Sequence, residues 1–201
     1  MMKIQYASDL HLEFANHEFY KFYDIATLPD GYCLTIRHNV HSYYNAVIPY
    51  GDTDIIVSTL WAKIPLKEAY YTEQVVSDFR RILYNKELMT FADFNREHDR
   101  CFAFVKKSVE ASTARKKIVV THHVPSFKMQ CPMFADSQAN GAFTVELEDF
   151  ITSHDIDYWI YGHSHFNVDA SIGSTQCLSN QLGYVSHREH LTFNPGKYIE
   201  I

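Results

Sequence analysis

Apolar and polar positions along the chain divide it into short extended runs and one long helical stretch. Lys3 to Ser8 is a short strand candidate that ends in Asp9-Leu10-His11. Asn16 to Ile25 could begin a helix. Tyr32 to Leu60 reads as β-rich, with Gly51-Asp52-Thr53 as a turn between its last two runs. Glu68 to about Ser112 reads as mostly helical, with Val75, Val76, Phe79, Ile82 and Leu83 spaced by threes and fours. Lys117 to Thr121 is a β-branched run followed at once by His122-His123-Val124-Pro125. A polar loop with an Asn140-Gly141 turn follows, then an amphipathic helix over Thr144 to His154. Asp157 to Tyr161 is another buried strand, ending in Gly162-His163-Ser164-His165. The tail predicts short strands with turns at Gly173, Gly183 and Pro195-Gly196.

This order predicts an α/β (α+β) fold, a layered β-sheet core flanked by helices. Polar residues repeatedly follow the carboxyl ends of strand-like runs, where open α/β sheets place their sites. The chain of 201 residues fits one domain, 1–201, and no linker or repeat divides it.

Composition narrows the function. Hydrophobic content of 46% and charged content of 21% are ordinary for a globular protein, so disorder is excluded as the dominant state. A formal charge of −6 argues against a nucleic-acid partner. The start of the chain has no apolar signal region and no run reaches membrane-spanning length, so a cytoplasmic protein without membrane contact is expected. The four cysteines are scattered, with no Cys-x-x-Cys pair, which predicts free thiols rather than a thiolate metal site.

Histidine is the outlier. Of twelve, several stand in tight groups after strands. Asp9 with His11, and His163 with His165, are spaced by two. In an extended segment such residues point to one side, so each pair can aim two ligands into one cavity. Carboxylate, imidazole and carboxamide donors suit Mn, Fe, Zn or similar divalent cations. Taken alone, Asn16 reads as a helix N-cap. His187 and His190 read as surface or structural residues. Arg96 and His98 have the chemistry to meet a phosphate, with nothing in the sequence to fix them near one.

Taken together the motifs resemble the calcineurin-like metallophosphoesterases. That family's ordered pattern is D-x-H, G-D-x-x-D, G-N-H-E/D, a His often in H-x-x-P, then G-H-x-H. This chain supplies Asp9-Leu-His11, Asn16-His17-Glu18, His122-His-Val-Pro125 and Gly162-His163-Ser-His165. The resemblance implies a metal-dependent phosphoesterase with a sandwich fold and two divalent cations. Asp9, His11 and His165 would hold one cation, and Asn16, His122 and His163 the other. His17 would be catalytic, protonating the leaving-group oxygen or steadying the phosphate. The reaction implied is hydrolysis of a phosphomonoester or phosphodiester by a metal-activated hydroxide, on a phosphorylated small molecule or nucleotide.

The G-D-x-x-D block, whose first Asp bridges the two cations in the family, is missing between His11 and Asn16, and Ala15 replaces the Gly before Asn16. A parallel crossover needs about a dozen residues or more, and a whole βαβ unit about 30. Leu12 to Ala15 cannot supply one, so a strand–helix–strand portion is expected to be missing near 12–16. Gly51-Asp52 comes after Asn16 and reads as a hairpin turn. Without the bridge, the Asn16, His122 and His163 set is neutral. One cation held tightly and impaired catalysis are then expected; the alternative is a non-catalytic member that binds metal or a partner without turnover. The gap in the sheet also predicts a homodimer, with a second copy filling the edge.

Overall fold

The computed structural model describes residues 3–11 and 30–201; of Tyr32 it describes only the backbone. The expected helix after Asn16 lies outside these residues. Among the described residues the main sheet has six strands. Its parallel centre runs Thr175–Ser179, Tyr158–Tyr161, Lys116–Val120 and Thr53–Val57. Ala170–Ile172 pairs antiparallel at one edge and Ala46–Tyr50 at the other. In chain order the strands are β1 (Lys3–Gln5), β2 (Tyr32–Arg37), β3 (Val40–Tyr44), β4 (Ala46–Tyr50) and β5 (Thr53–Val57). They continue as β6 (Leu83–Tyr84), β7 (Glu87–Leu88), β8 (Lys116–Val120) and β9 (Tyr158–Tyr161). The last three are β10 (Ala170–Ile172), β11 (Thr175–Ser179) and β12 (Tyr198–Glu200). Among the described residues the α-helices are α1 (Leu66–Val75), α2 (Phe91–Ala111) and α3 (Glu148–Ser153).

The period-two alternation of β8 and β9 separates two apolar layers. Val119, Trp159 and Tyr161 join the main core with Ala69 of α1, Phe94 of α2 and Ile151 of α3. Ile118 and Ile160 face the other way, against Ile199 of β12 and Ile4 of β1. The helices therefore cover one face. The two-stranded β1–β12 pair, with Ile4 opposite Ile199, lies on the other. This is the layered α/β architecture expected, with a mixed sheet.

Two expectations change. The helical stretch after Glu68 is broken between α1 and α2 by the β6–β7 hairpin. Its turn residues Asn85 and Lys86 have φ of 52° and 69°, the left-handed pair of a tight I′-type hairpin turn. Helix α2 begins afresh with Thr90 and Asp93 capping each other's backbone N–H groups. The helix expected over Thr144 to His154 shrinks to α3. Thr144 and Val145 instead extend alongside Val124, and the Leu147 N–H donates to the Pro125 carbonyl. Tertiary hydrogen bonds outweigh the helical periodicity there. Gly51-Asp52 does form the β4–β5 turn, where Asp52 accepts from Arg115 Nε. That is the end of β5 opposite the carboxyl ends that carry the histidines. The cysteines are free, with Cys33 exposed and the other three buried. No helix among the described residues is long and apolar enough to cross a membrane.

Candidate metal centre

Three turns at the carboxyl edge of the strands carry the expected ligands. Asp9 and His11 follow β1, His122 follows β8, and His163 and His165 follow β9. Each turn is tied to its neighbours through the backbone. The Ser8 N–H donates to the Asn180 carbonyl, and the Leu182 and Gly183 N–H groups donate to the Ser8 and Asp9 carbonyls. The Gly162 N–H donates to the His122 carbonyl, while the His122 N–H donates to the Thr59 carbonyl after β5.

The pairs at spacing two do not converge in the way an extended segment would. Asp9, His11, His163 and His165 all have left-handed backbones, with φ of 51°, 47°, 75° and 51°. Leu60 and Trp61, beside the Thr59 contact, have φ of 68° and 53°. Such non-glycine conformations cost of order 1–3 kcal/mol each and cluster at functional sites. Gly162 has the opposite requirement, a close approach. A Cβ there would sit 2.7 Å from both Asp9 Oδ2 and Ser8 Oγ.

The side chains converge into two donor groups, Asp9–His11–His165 and Asp9–His122–His163. Within each group the ligand atoms all lie within 4.8 Å of one another. His11 Nε2 faces His165 Nε2 at 3.0 Å, and His165 Nε2 lies 3.5 Å from Asp9 Oδ1. His163 Nδ1 faces His122 Nε2 at 2.9 Å. The His163 backbone N–H donates to Asp9 Oδ2 at 3.0 Å. One carboxylate oxygen with two imidazole nitrogens is a donor set that first-row divalent cations accept. The residues therefore fit a cation in either group.

Asp9 thus belongs to both groups. The set expected to be neutral, His122 with His163, gains a carboxylate through this sharing. Asn16 and His17 lie outside the described residues. His123 is in neither group. It is fully buried against Trp61, Phe94 and His163, with Nδ1 3.4 Å from the Thr59 carbonyl. His98 is turned away as well, with Nδ1 2.8 Å from the Trp61 carbonyl, and Arg96 pairs with Asp93.

The electrostatics separate the ligands. Burial would raise the Asp9 pKa, but the His165 contact, the His122 charge and the His163 N–H outweigh it, so the carboxyl stays well below its usual range. Burial beside His122 pushes His163 down to about 3. Crowding by protein also lowers His122, against the pull of Asp9 and Asp78. For His165, burial is overcome by Asp9 and Glu189, and its pKa is raised.

The tail contributes residues that no motif flagged. The buried Gln181 side chain accepts from the His165 N–H at 2.7 Å and donates to the Phe166 carbonyl at 3.0 Å. Glu189 Oε2 lies 2.8 Å from His165 Nδ1. The Tyr184 ring lies 4.3 Å from the His11 ring and 4.7 Å from the His165 ring. Only Gly183 within this stretch gave a signal, as a turn; the contacts themselves arise from the β11 return, which local spacing does not encode.

A model of the calcineurin-like phosphoesterase family matches residues 2–167, a span that contains all three ligand turns. The chain belongs to the calcineurin-like phosphoesterase family. It is also similar to a relative described as uncharacterized protein L509 of Acanthamoeba polyphaga mimivirus. The two are 26% identical over 203 residues, covering 92% of this chain and 71% of the relative. Membership supports hydrolytic phosphoesterase chemistry with divalent metal as the general character of the site. The family match ends before Gln181 and Glu189.

Proposed function

We propose that the protein is a metal-dependent phosphoesterase that holds one divalent cation tightly and hydrolyses a phosphorylated small molecule or nucleotide weakly. The observation that carries this reading is the sharing of Asp9 between two donor groups. Two divalent cations in adjacent seats repel, and one shared carboxylate offsets only part of that repulsion. The described donor groups contain no second carboxylate, so the two seats compete for Asp9. A bound cation, with manganese as our choice, would polarise a phosphoester oxygen as a Lewis acid. The chain's own residues supply the rest. His122 and His163, lowered by burial, offer neutral nitrogen lone pairs, and Asp9 brings the charge. His17, by the family resemblance, would meet the leaving-group oxygen.

The test combines stoichiometry with turnover. After dialysis, elemental analysis should find about one manganese per chain, and a chromogenic phosphodiester should be hydrolysed slowly with added Mn²⁺ and not at all by His17→Ala. Two retained metals would overturn the one-cation reading. The missing second carboxylate favours one alternative, a non-catalytic member that binds metal without turnover. Tight Mn²⁺ uptake with no hydrolysis in any divalent metal would establish it.

A further inference from the structure

Glu189 is placed by the tail against the His165 ring, and its geometry is built rather than incidental. Its Oε2 lies 2.8 Å from His165 Nδ1 and accepts from the Tyr184 N–H at 2.7 Å. The Glu189 N–H returns a bond to the Tyr184 carbonyl at 3.3 Å. The Tyr184 and Glu189 ends of a short loop are therefore tied to each other through both backbone and carboxylate. The remaining carboxylate oxygen, Oε1, lies 3.9 Å from the exposed His187, a distant contact that leaves the His165 bond dominant.

The loop is also pressed onto the ligands. A Cβ on Gly183 would sit 2.7 Å from Glu189 Cβ and 3.1 Å from His165 Cβ. Gly183 has φ of +66°, which a side chain would strain, and its N–H donates to the Asp9 carbonyl at 3.0 Å. Tyr184 lays its ring beside His11. One segment, 182–189, therefore touches Asp9, His11 and His165 together.

We infer that Glu189 is a positioning residue: it takes the Nδ1 proton of His165 as a hydrogen-bond donor and so leaves the Nε2 lone pair facing Asp9 and His11, making that triad the tighter cation seat. This rests on reading the triad as a metal seat. A carboxylate behind a ligating imidazole fixes its tautomer and orientation and raises its basicity. In the other triad His163 Nε2 is buried and makes no hydrogen bond to a carboxylate among the described residues, and His122 feels the Asp78 charge without hydrogen-bonding to it.

Two substitutions test this. Glu189→Gln keeps an oxygen that accepts both N–H groups and loses only the charge. Glu189→Ala loses both. Ring-nitrogen chemical shifts of metal-free protein, at alkaline pH where the ring is neutral, should place the His165 proton on Nδ1 in wild type and in E189Q, and not in E189A. Calorimetric Mn²⁺ titration should then show affinity about 10–100-fold weaker in E189A, with E189Q between it and wild type. E189Q keeps the test open if E189A fails to fold, since an Nε2–H ring in folded E189Q or wild type overturns the inference. Wild-type affinity in folded E189A overturns it too. Wild-type protein that takes up no Mn²⁺ overturns the metal reading itself, and the wild-type titration alone distinguishes that case.

Discussion

At the residue scale the site depends on where a single atom is absent. Gly162 lets the Asp9 carboxylate lie against the chain and accept the His163 N–H. In Gly162→Ala the new methyl would meet Asp9 Oδ2 and Ser8 Oγ at 2.7 Å, so the carboxylate must move. Overpacking of this kind costs about 1–3 kcal/mol, but the larger effect should be on the cation, because Asp9 serves both triads. Mn²⁺ affinity should fall by about 100-fold, on the scale that an ångström of misplacement costs a site, in protein that still melts cooperatively. Calorimetric titration beside a melting curve checks this; unchanged affinity would remove Asp9 from the seat. The ligand residue types were legible from the sequence, because D-x-H and G-H-x-H name them. The way they converge was not. Left-handed backbones at Asp9, His11, His163 and His165 replace the extended geometry that spacing alone implies, and such conformations are imposed by long-range contacts rather than by local preference.

At the scale of elements, strands were readable and their partners only in part. The alternation in β8 and β9 announced buried strands, and the structure gives each face its own layer. The β6–β7 hairpin escaped because Asn85-Lys86 lacks the glycine that usually marks such a turn. The tail escaped for another reason. After β11 the chain returns under the H-x-H turn, and Gln181 there holds both sides, accepting from the His165 N–H and donating to the Phe166 carbonyl. Gln181→Leu fills the same space and strands a donor and an acceptor. An unsatisfied buried group costs about 1–3 kcal/mol, which for a chain of this size lowers Tm by roughly 2–12 °C. Gln181→Glu should recover only the bond from His165, and so lie between leucine and wild type. Thermal melts of the three proteins decide; a leucine variant as stable as wild type would mean that the turn is held by its backbone alone.

For the whole molecule, the metal centre couples stability to pH and to cation. His122, His123 and His163 are lowered by burial, so they stay neutral in the folded chain as pH falls through about 6.5, where the unfolded chain takes up protons. Their contribution is complete above that pH and is lost progressively below it. His165 runs the other way: its raised pKa contributes below about 6.5, and that is lost as pH rises through its folded value. Asp9, held low, contributes above about 3.9 and loses this only in strong acid. His98 is lowered by burial as well, and four lowered histidines against one raised predict that metal-free protein melts at progressively lower temperature from pH 7 to pH 4. A flat profile would mean that water reaches those rings. A cation should reverse the loss, because it binds the neutral imidazoles and the Asp9 carboxylate only where the fold assembles them. At neutral pH, Mn²⁺ at 100 times its Kd should stabilise the fold by about 2.7 kcal/mol, a rise of roughly 5–11 °C in Tm. The rise should shrink on acidification, as protons compete for His165 first, and should vanish in Asp9→Asn, which leaves either seat without charge. A rise that survives Asp9→Asn would place the cation somewhere other than the turns after β1, β8 and β9.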